Sequence, residues 1–164
     1  MNEEEKNANN QNEVVSSEIS ALDVAKYLIG LAQRDGNPIT NLRLQKLLYY
    51  AWGCYYRKCK QILFKENIEA WPLGPVIREV YIEYCDNEDR DIRIGDEVFT
   101  NASNILTDDV KDFLQEFYYA YKNYRTSALI ETSHQEAPWK KTFKKNGKNI
   151  ISIELLKNFF ENLS

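Results

Sequence analysis

From Ile19 onward, apolar residues recur every three or four positions, and short polar stretches rich in Gly, Pro, Asn and Asp interrupt the pattern. That period is the mark of amphipathic helices. The first is expected to begin near Ser20, a residue that can cap the backbone, with Asp23 in its first turn. Leu22, Ala25, Ile29 and Ala32 form its stripe, and "RDGNP" ends it, Gly36 being suited to a left-handed cap. A second helix opens at Thr40 or Asn41 and runs through "LRLQKLLYYAWGCYYRK". Leu44, Leu47, Leu48, Ala51 and Tyr55 lie along one face, and Tyr49, Tyr50, Trp52 and Tyr56 widen it. A helix apolar most of the way round belongs at the centre of a core.

Ile62, Phe64, Ile68 and Ala70 alternate with polar residues, which predicts short extended segments. Pro75 fits the first turn of a third helix with Gly74 before it as a cap, and Val76, Val80 and Tyr84 would line its buried face. "IRIGDEVF" is expected to form a small hairpin turning at Gly95-Asp96. Thr107 caps a fourth helix whose stripe is Val110, Phe113, Leu114, Phe117 and Tyr121. "TSALIETS" is a short fifth helix, "KKTFKKNGKN" a basic connector, and Ser152 caps a last helix carrying Ile153, Leu156, Phe159, Phe160 and Leu163. The expected fold is mainly α: a single compact domain of about six helices with one or two short β-pieces, spanning residues 19–164. Residues 1–18, "MNEEEKNANNQNEVVSSE", have no core face and are expected to be a disordered acidic tail.

Charge refines this picture. Five glutamates against one lysine in residues 1–18 account for the whole net charge of −4, so the remaining chain is balanced. A neutral body argues against generic binding to nucleic acid, which favours a clearly positive face. No apolar run approaches the roughly 18 residues of a membrane span. Cys54, Cys59 and Cys85 lack C-x-x-C spacing and read as free, mostly buried thiols in a reducing cytoplasm.

The one histidine lies in "SHQEAPW", residues 133–139. An acid–base role would need a carboxylate to orient His134, but Glu136 is two residues away and need not meet it. The chain holds no nucleophile elbow, Gly-rich phosphate loop or H-E-x-x-H motif. The competing reading is structural: a helix ends at Ser133, His134 or Gln135 bonds its last carbonyls, Pro138 stops helix from resuming at once, and Trp139 packs into the core. The aromatic run Tyr49–Tyr56 could stack bases, yet only Arg43, Lys46, Arg57 and Lys58 flank it, so core packing is favoured.

Three stretches in order, "ITNLRLQKLLYYAWGCYY" (Ile39–Tyr56), "IEAWPLGPVIREVY" (Ile68–Tyr81) and "SHQEAPWKK" (Ser133–Lys141), resemble the Panacea, or SocA-like, antitoxin domain, whose members are often labelled phage-associated proteins. The resemblance rests on Asn41, Leu44, Gln45, Lys46, Tyr49, Tyr50, Trp71, Gly74, Pro75, Tyr81, His134, Gln135, Pro138 and Trp139, with Ser133 in place of the usual threonine. It implies a mainly helical domain that neutralises a cognate protein toxin by direct contact, in some members as an adaptor handing the toxin to a protease. It also implies binding rather than catalysis, with no cofactor. On this reading His134 and Gln135 fix a turn, Trp71 and Trp139 anchor loops in the core, and Gly74-Pro75 set the start of the third helix. The acidic segment Asp86–Glu97 and the tail would then choose the toxin. A prophage-encoded regulatory protein of the same fold, meeting another partner or DNA, and an enzyme using His134 stay open as alternatives.

Overall fold

The computed structural model describes residues 19–163, so the tail expected over 1–18 lies outside the described residues. Local capping chemistry sets several helix starts. Helix α1 (Ala21–Arg34) begins at a reciprocal box in which the Ser20 hydroxyl accepts from the Asp23 N–H and the Asp23 carboxylate accepts from the Ser20 N–H. Thr40, Thr107 and Ser152 cap α2 (Asn41–Cys59), α5 (Asp108–Tyr121) and α8 (Ile153–Glu161) through the hydroxyl alone. Gly36, at φ 72°, turns the chain after α1.

Helix α2 is the axis of the molecule. Nearly every residue from Leu44 to Tyr56 is buried, and α1, α5, α8, the helix α6 (Thr126–Gln135) and a small sheet all pack on it. Aromatic rings fill the seams: Tyr49 and Trp52 meet Phe160 of α8, and Tyr55 meets Phe113 of α5 edge-on at 5.1 Å. Gly53 lets α8 come this close, because a Cβ there would fall 2.1 Å from the Phe160 ring. The sheet has order β2-β1-β3, with β1 (Glu69–Trp71) paired antiparallel to β2 (Gly74–Val76) and to β3 (Asn149–Ile150).

The mainly α fold with a small sheet is as expected, though with eight α-helices among the described residues instead of about six. Four local expectations are corrected. Gly74 and Pro75 belong to strand β2, and helix α3 (Arg78–Tyr84) starts after Ile77. The hairpin expected over 92–99 is instead the entry to helix α4 (Asp96–Ile105), whose buried Phe99 and Ala102 pack on α1. Asp96 and Glu97 favour that helix start through its dipole. Helix α6 runs on to Gln135, and Pro138 opens a one-turn helix, α7 (Ala137–Lys140), a position where proline loses no hydrogen bond. Two of the three thiols, Cys59 and Cys85, are exposed, and only Cys54 is half-buried.

No helix among the described residues is long and apolar enough to cross a membrane.

Candidate functional site

The sequence places Asn41, Gln45 and Lys46 within little more than one turn of α2, so all three can face the same neighbour. That neighbour is the β1–β2 hairpin with the start of α3. The Asn41 amide donates to the Tyr81 carbonyl at 3.1 Å and accepts from the Gln45 amide at 2.9 Å. Gln45 Oε1 accepts from the Ile77 N–H at 2.8 Å, satisfying a backbone donor at a helix start that has no side-chain cap of its own. Lys46, with 0% of its surface exposed, donates from Nζ to the Pro75 carbonyl at 2.7 Å. Burial pulls the Lys46 amine down to about 7.

Gly74 completes this corner. Its φ of +111° is strained for any other residue, and a Cβ there would sit 2.8 Å from Lys46 Cε and 3.0 Å from Ser133 Oγ. Hairpin, central helix and the end of α6 therefore meet at one point that admits no side chain.

The third motif packs against the same hairpin. His134 stacks on Trp139 with ring centroids 4.1 Å apart, and Trp139 stacks in turn on Phe143. The Trp139 Nε1–H donates to the Trp71 carbonyl at 2.7 Å, tying α7 to the hairpin. Burial lowers the pKa of His134, the nearby Lys46 amine lowers it further, and the Pro72 backbone opposes both. His134 Nε2 is buried without a hydrogen-bond partner among the described residues. Glu136 turns elsewhere: its Oε1 accepts from the hydroxyls of Tyr49 at 3.2 Å and Tyr50 at 2.9 Å. His134 and Glu136 thus serve different neighbours and share no hydrogen bond.

Several expected roles move. Gln135 is exposed, and the N–H that returns to the last turn of α6 is that of Glu136, bonded to the Ser133 carbonyl. Trp139 is only partly buried, and Pro138 is the buried member of the pair. Trp71 is not a core residue: it is half-buried, edge-on to Tyr81 at 4.9 Å, with Lys148 Nζ 4.3 Å from its ring centre. Sequence reasoning named Arg43 only as a cation flanking the aromatic run and missed its role: its guanidinium donates to the carbonyls of Tyr121, Lys122 and Tyr124 at the end of α5. It is spent on capping that helix end and is not free for a phosphate.

Outside the network lies a groove of about 410 Å³, floored by Asn41, Leu42 and Gln45 and walled by Trp71, Leu73, Val76 and Tyr81. Leu73 is 55% exposed and Ile82, on the next helix face, 57%. Glu88 and Asp89 stand at the rim beside Cys85. The segment 78–91 holds six acids against Arg78 and Arg90, so this face is acidic on a body whose charges sum to zero overall.

Residues 44–140 match the family described as antitoxin SocA-like, Panacea domain. The chain belongs to that family. The match begins on α2 and ends at Lys140 in α7, so it holds Lys46, Gly74, Pro75, His134 and Trp139 together, while Asn41 lies just before it. The chain is also similar to antitoxin SocA of Caulobacter vibrioides (strain NA1000 / CB15N), at 29% identity over 129 residues, covering 74% of this chain and 69% of that protein. No solved structure matches. In this Panacea-domain protein the motif residues lie mostly inside, and they present Trp71 and Tyr81 to solvent at the groove.

Proposed function

We propose that this protein is the antitoxin of a toxin–antitoxin pair, acting in the cytoplasm by direct contact with a cognate protein toxin encoded beside it and catalysing no reaction. The observation that carries the reading is family membership through residues whose polar groups are spent on one another. Asn41, Gln45 and Lys46 bond backbone atoms of the hairpin and α3, and Glu136 bonds tyrosines, which is how a scaffold uses such groups.

The groove beside that scaffold is the docking face in this reading. Its occupant is a toxin segment with a large apolar side chain flanked by Lys or Arg, because apolar walls and an acidic rim complement that pattern. Two half-exposed aromatic rings, Trp71 and Tyr81, are the residue types that dominate binding energy at interfaces.

The test is co-expression. The neighbouring open reading frame is expressed alone and with this protein, followed by growth measurement and purification of the complex. Toxicity relieved together with a stable complex supports the proposal. A toxic neighbour that this folded protein neither binds nor neutralises overturns it. If the toxin binds and its lifetime falls only when a cellular protease is intact, the antitoxin acts as an adaptor.

A further inference from the structure

A second pocket lies further along α2, beside the carboxylate that Tyr49 and Tyr50 hold. It encloses about 300 Å³ and is lined by Tyr50, Cys54, Tyr121, Tyr124, Phe160 and Glu136, with Thr132, Leu129 and Leu163 among its other walls. Tyr50 lies against Tyr121 at 5.6 Å and Tyr121 against Tyr124 at 5.5 Å, so consecutive rings form a curved aromatic wall. Tyr124 is 55% exposed, leaving the mouth open.

Glu136 sits in this wall as a half-buried carboxylate. One of its oxygens takes both tyrosine hydroxyls, and no Lys, Arg or His lies within ion-pairing distance of it among the described residues. Burial raises the pKa of Cys54, Tyr50 and Tyr121, so those neighbours are neutral at pH 7. Arg57 lines the rim beyond ion-pairing distance and is itself exposed.

We infer that this pocket binds an organic cation, a primary ammonium or guanidinium on a short apolar stem. Two features select that chemistry independently. A carboxylate without a counter-ion in a site partly withdrawn from water lacks the partner such groups usually have. Aromatic faces attract cations through the ring quadrupole, and an apolar stem fits the remaining wall. An anion would meet Glu136, and a neutral ligand would leave that carboxylate without a counter-charge. The volume lies at the small end for ligand sites, which suits an alkylamine or a single Lys or Arg side chain. The same chemistry has two sources, a free small amine or a side chain of a polypeptide.

The experiment titrates the full-length protein with n-butylammonium, n-butylguanidinium and the neutral isostere n-butanol, followed by calorimetry and tyrosine fluorescence. The cations are expected to bind about tenfold or more tightly than butanol. Glu136→Gln, which preserves an acceptor for both tyrosines, is expected to remove that preference. Arg57→Gln is expected to strengthen cation binding roughly two- to threefold at low salt by removing a like charge from the rim. A second readout is independent of the variants: bound cation should slow alkylation of Cys54, while the exposed Cys59 and Cys85 serve as internal controls.

A blocked lysine tripeptide, acetyl-Ala-Lys-Ala-amide, separates the sources. If it binds as well as butylammonium, the pocket takes a polypeptide side chain, and if it is excluded, a free amine. Equal binding of butanol and butylammonium, undiminished cation binding in Glu136→Gln, or no saturable binding of any cation overturns the inference. Because the probes are small molecules, the result does not depend on whether a toxin partner exists.

Discussion

Lys46→Met tests the central network most directly. The lysine is fully buried, its amine bonds one carbonyl, and no carboxylate pairs with it among the described residues. An amine taken from water without a counter-charge releases its proton easily, which is why burial brings it down to about 7. In the unfolded chain the same lysine titrates near about 10.4. Between those two values the unfolded state holds one more proton than the folded state, so stability rises with pH. The contribution is flat below the folded value and flat again above the unfolded one. Its slope is about 1.4 kcal/mol per pH unit, so between about pH 7.5 and 9.5 wild type should gain roughly 2–3 kcal/mol from this residue alone.

Methionine keeps the length and packing of the stem but has no amine to titrate. It also leaves the Pro75 carbonyl without its donor, which costs about 1–3 kcal/mol at every pH. The diagnostic is therefore the slope and not the offset. Urea unfolding followed by circular dichroism at several pH values in that window gives stability for both proteins by linear extrapolation. Buried tyrosines and Cys54, whose raised pKa values work in the opposite sense, are common to both and cancel in the difference. Stability curves that stay parallel from pH 7.5 to 9.5 would refute the claim that Lys46 is buried and largely neutral there.

Gly74→Ala should lower stability by roughly 1–3 kcal/mol by thermal or urea unfolding, since it combines a φ of +111° with a clash against Lys46. His134→Phe keeps the ring stacked on Trp139 and should melt within a few degrees of wild type. Because burial lowers the His134 pKa, the folded state gives up a proton that the unfolded state keeps, so wild type loses stability as pH falls through and below about 6.5. The phenylalanine variant should lose less over that range, and a variant that folds but no longer neutralises the toxin would move weight to a catalytic His134. Trp139→Ala should destabilise toward the lower end of roughly 3–5 kcal/mol, because the ring is only partly buried. Reversing the rim with Glu88→Lys and Asp89→Lys together should leave the melting temperature unchanged and weaken toxin binding about tenfold or more, measured by titration at two salt concentrations.

What the sequence made legible were features decided within a turn or two of chain. Ser20, Thr40, Thr107 and Ser152 each cap the helix read from them, because the hydroxyl bonds a backbone N–H only three residues on. The errors arose where a distant partner overruled a local preference. Gly74-Pro75 has the local look of a helix entry, but pairing with β1 and the Lys46 bond to the Pro75 carbonyl hold it as a hairpin arm. Gly95-Asp96 looks like a turn, yet Phe99, Ala102 and Leu106 continue at helical spacing into α1 and the core. The depth of Lys46 had no local trace: by sequence it flanks the aromatic run as a cation, whereas in the fold it is fully buried. The pairing of Glu136 with Tyr49 and Tyr50 had no local trace, because 86 or more positions separate them.

The distribution of motif residues between interior and surface bears on how a partner can be chosen. Asn41, Gln45 and Lys46 have their hydrogen-bonding capacity directed at backbone atoms, so changing them alters the hairpin first and a partner only through it. Loss-of-function variants at those positions should therefore unfold more easily, whereas true contact residues should not. Tyr81 stands between the two classes. Its carbonyl accepts from Asn41, and any residue there would supply that atom; its ring, 37% exposed and edge-on to Trp71, serves only the groove. The scaffold thus sets the placement of the groove wall through a backbone bond while leaving the side chain free. Leu73, Glu88 and Asp89 take no part in the hydrogen bonds that hold the hairpin in place, so substitutions there should alter the groove and leave the interior intact.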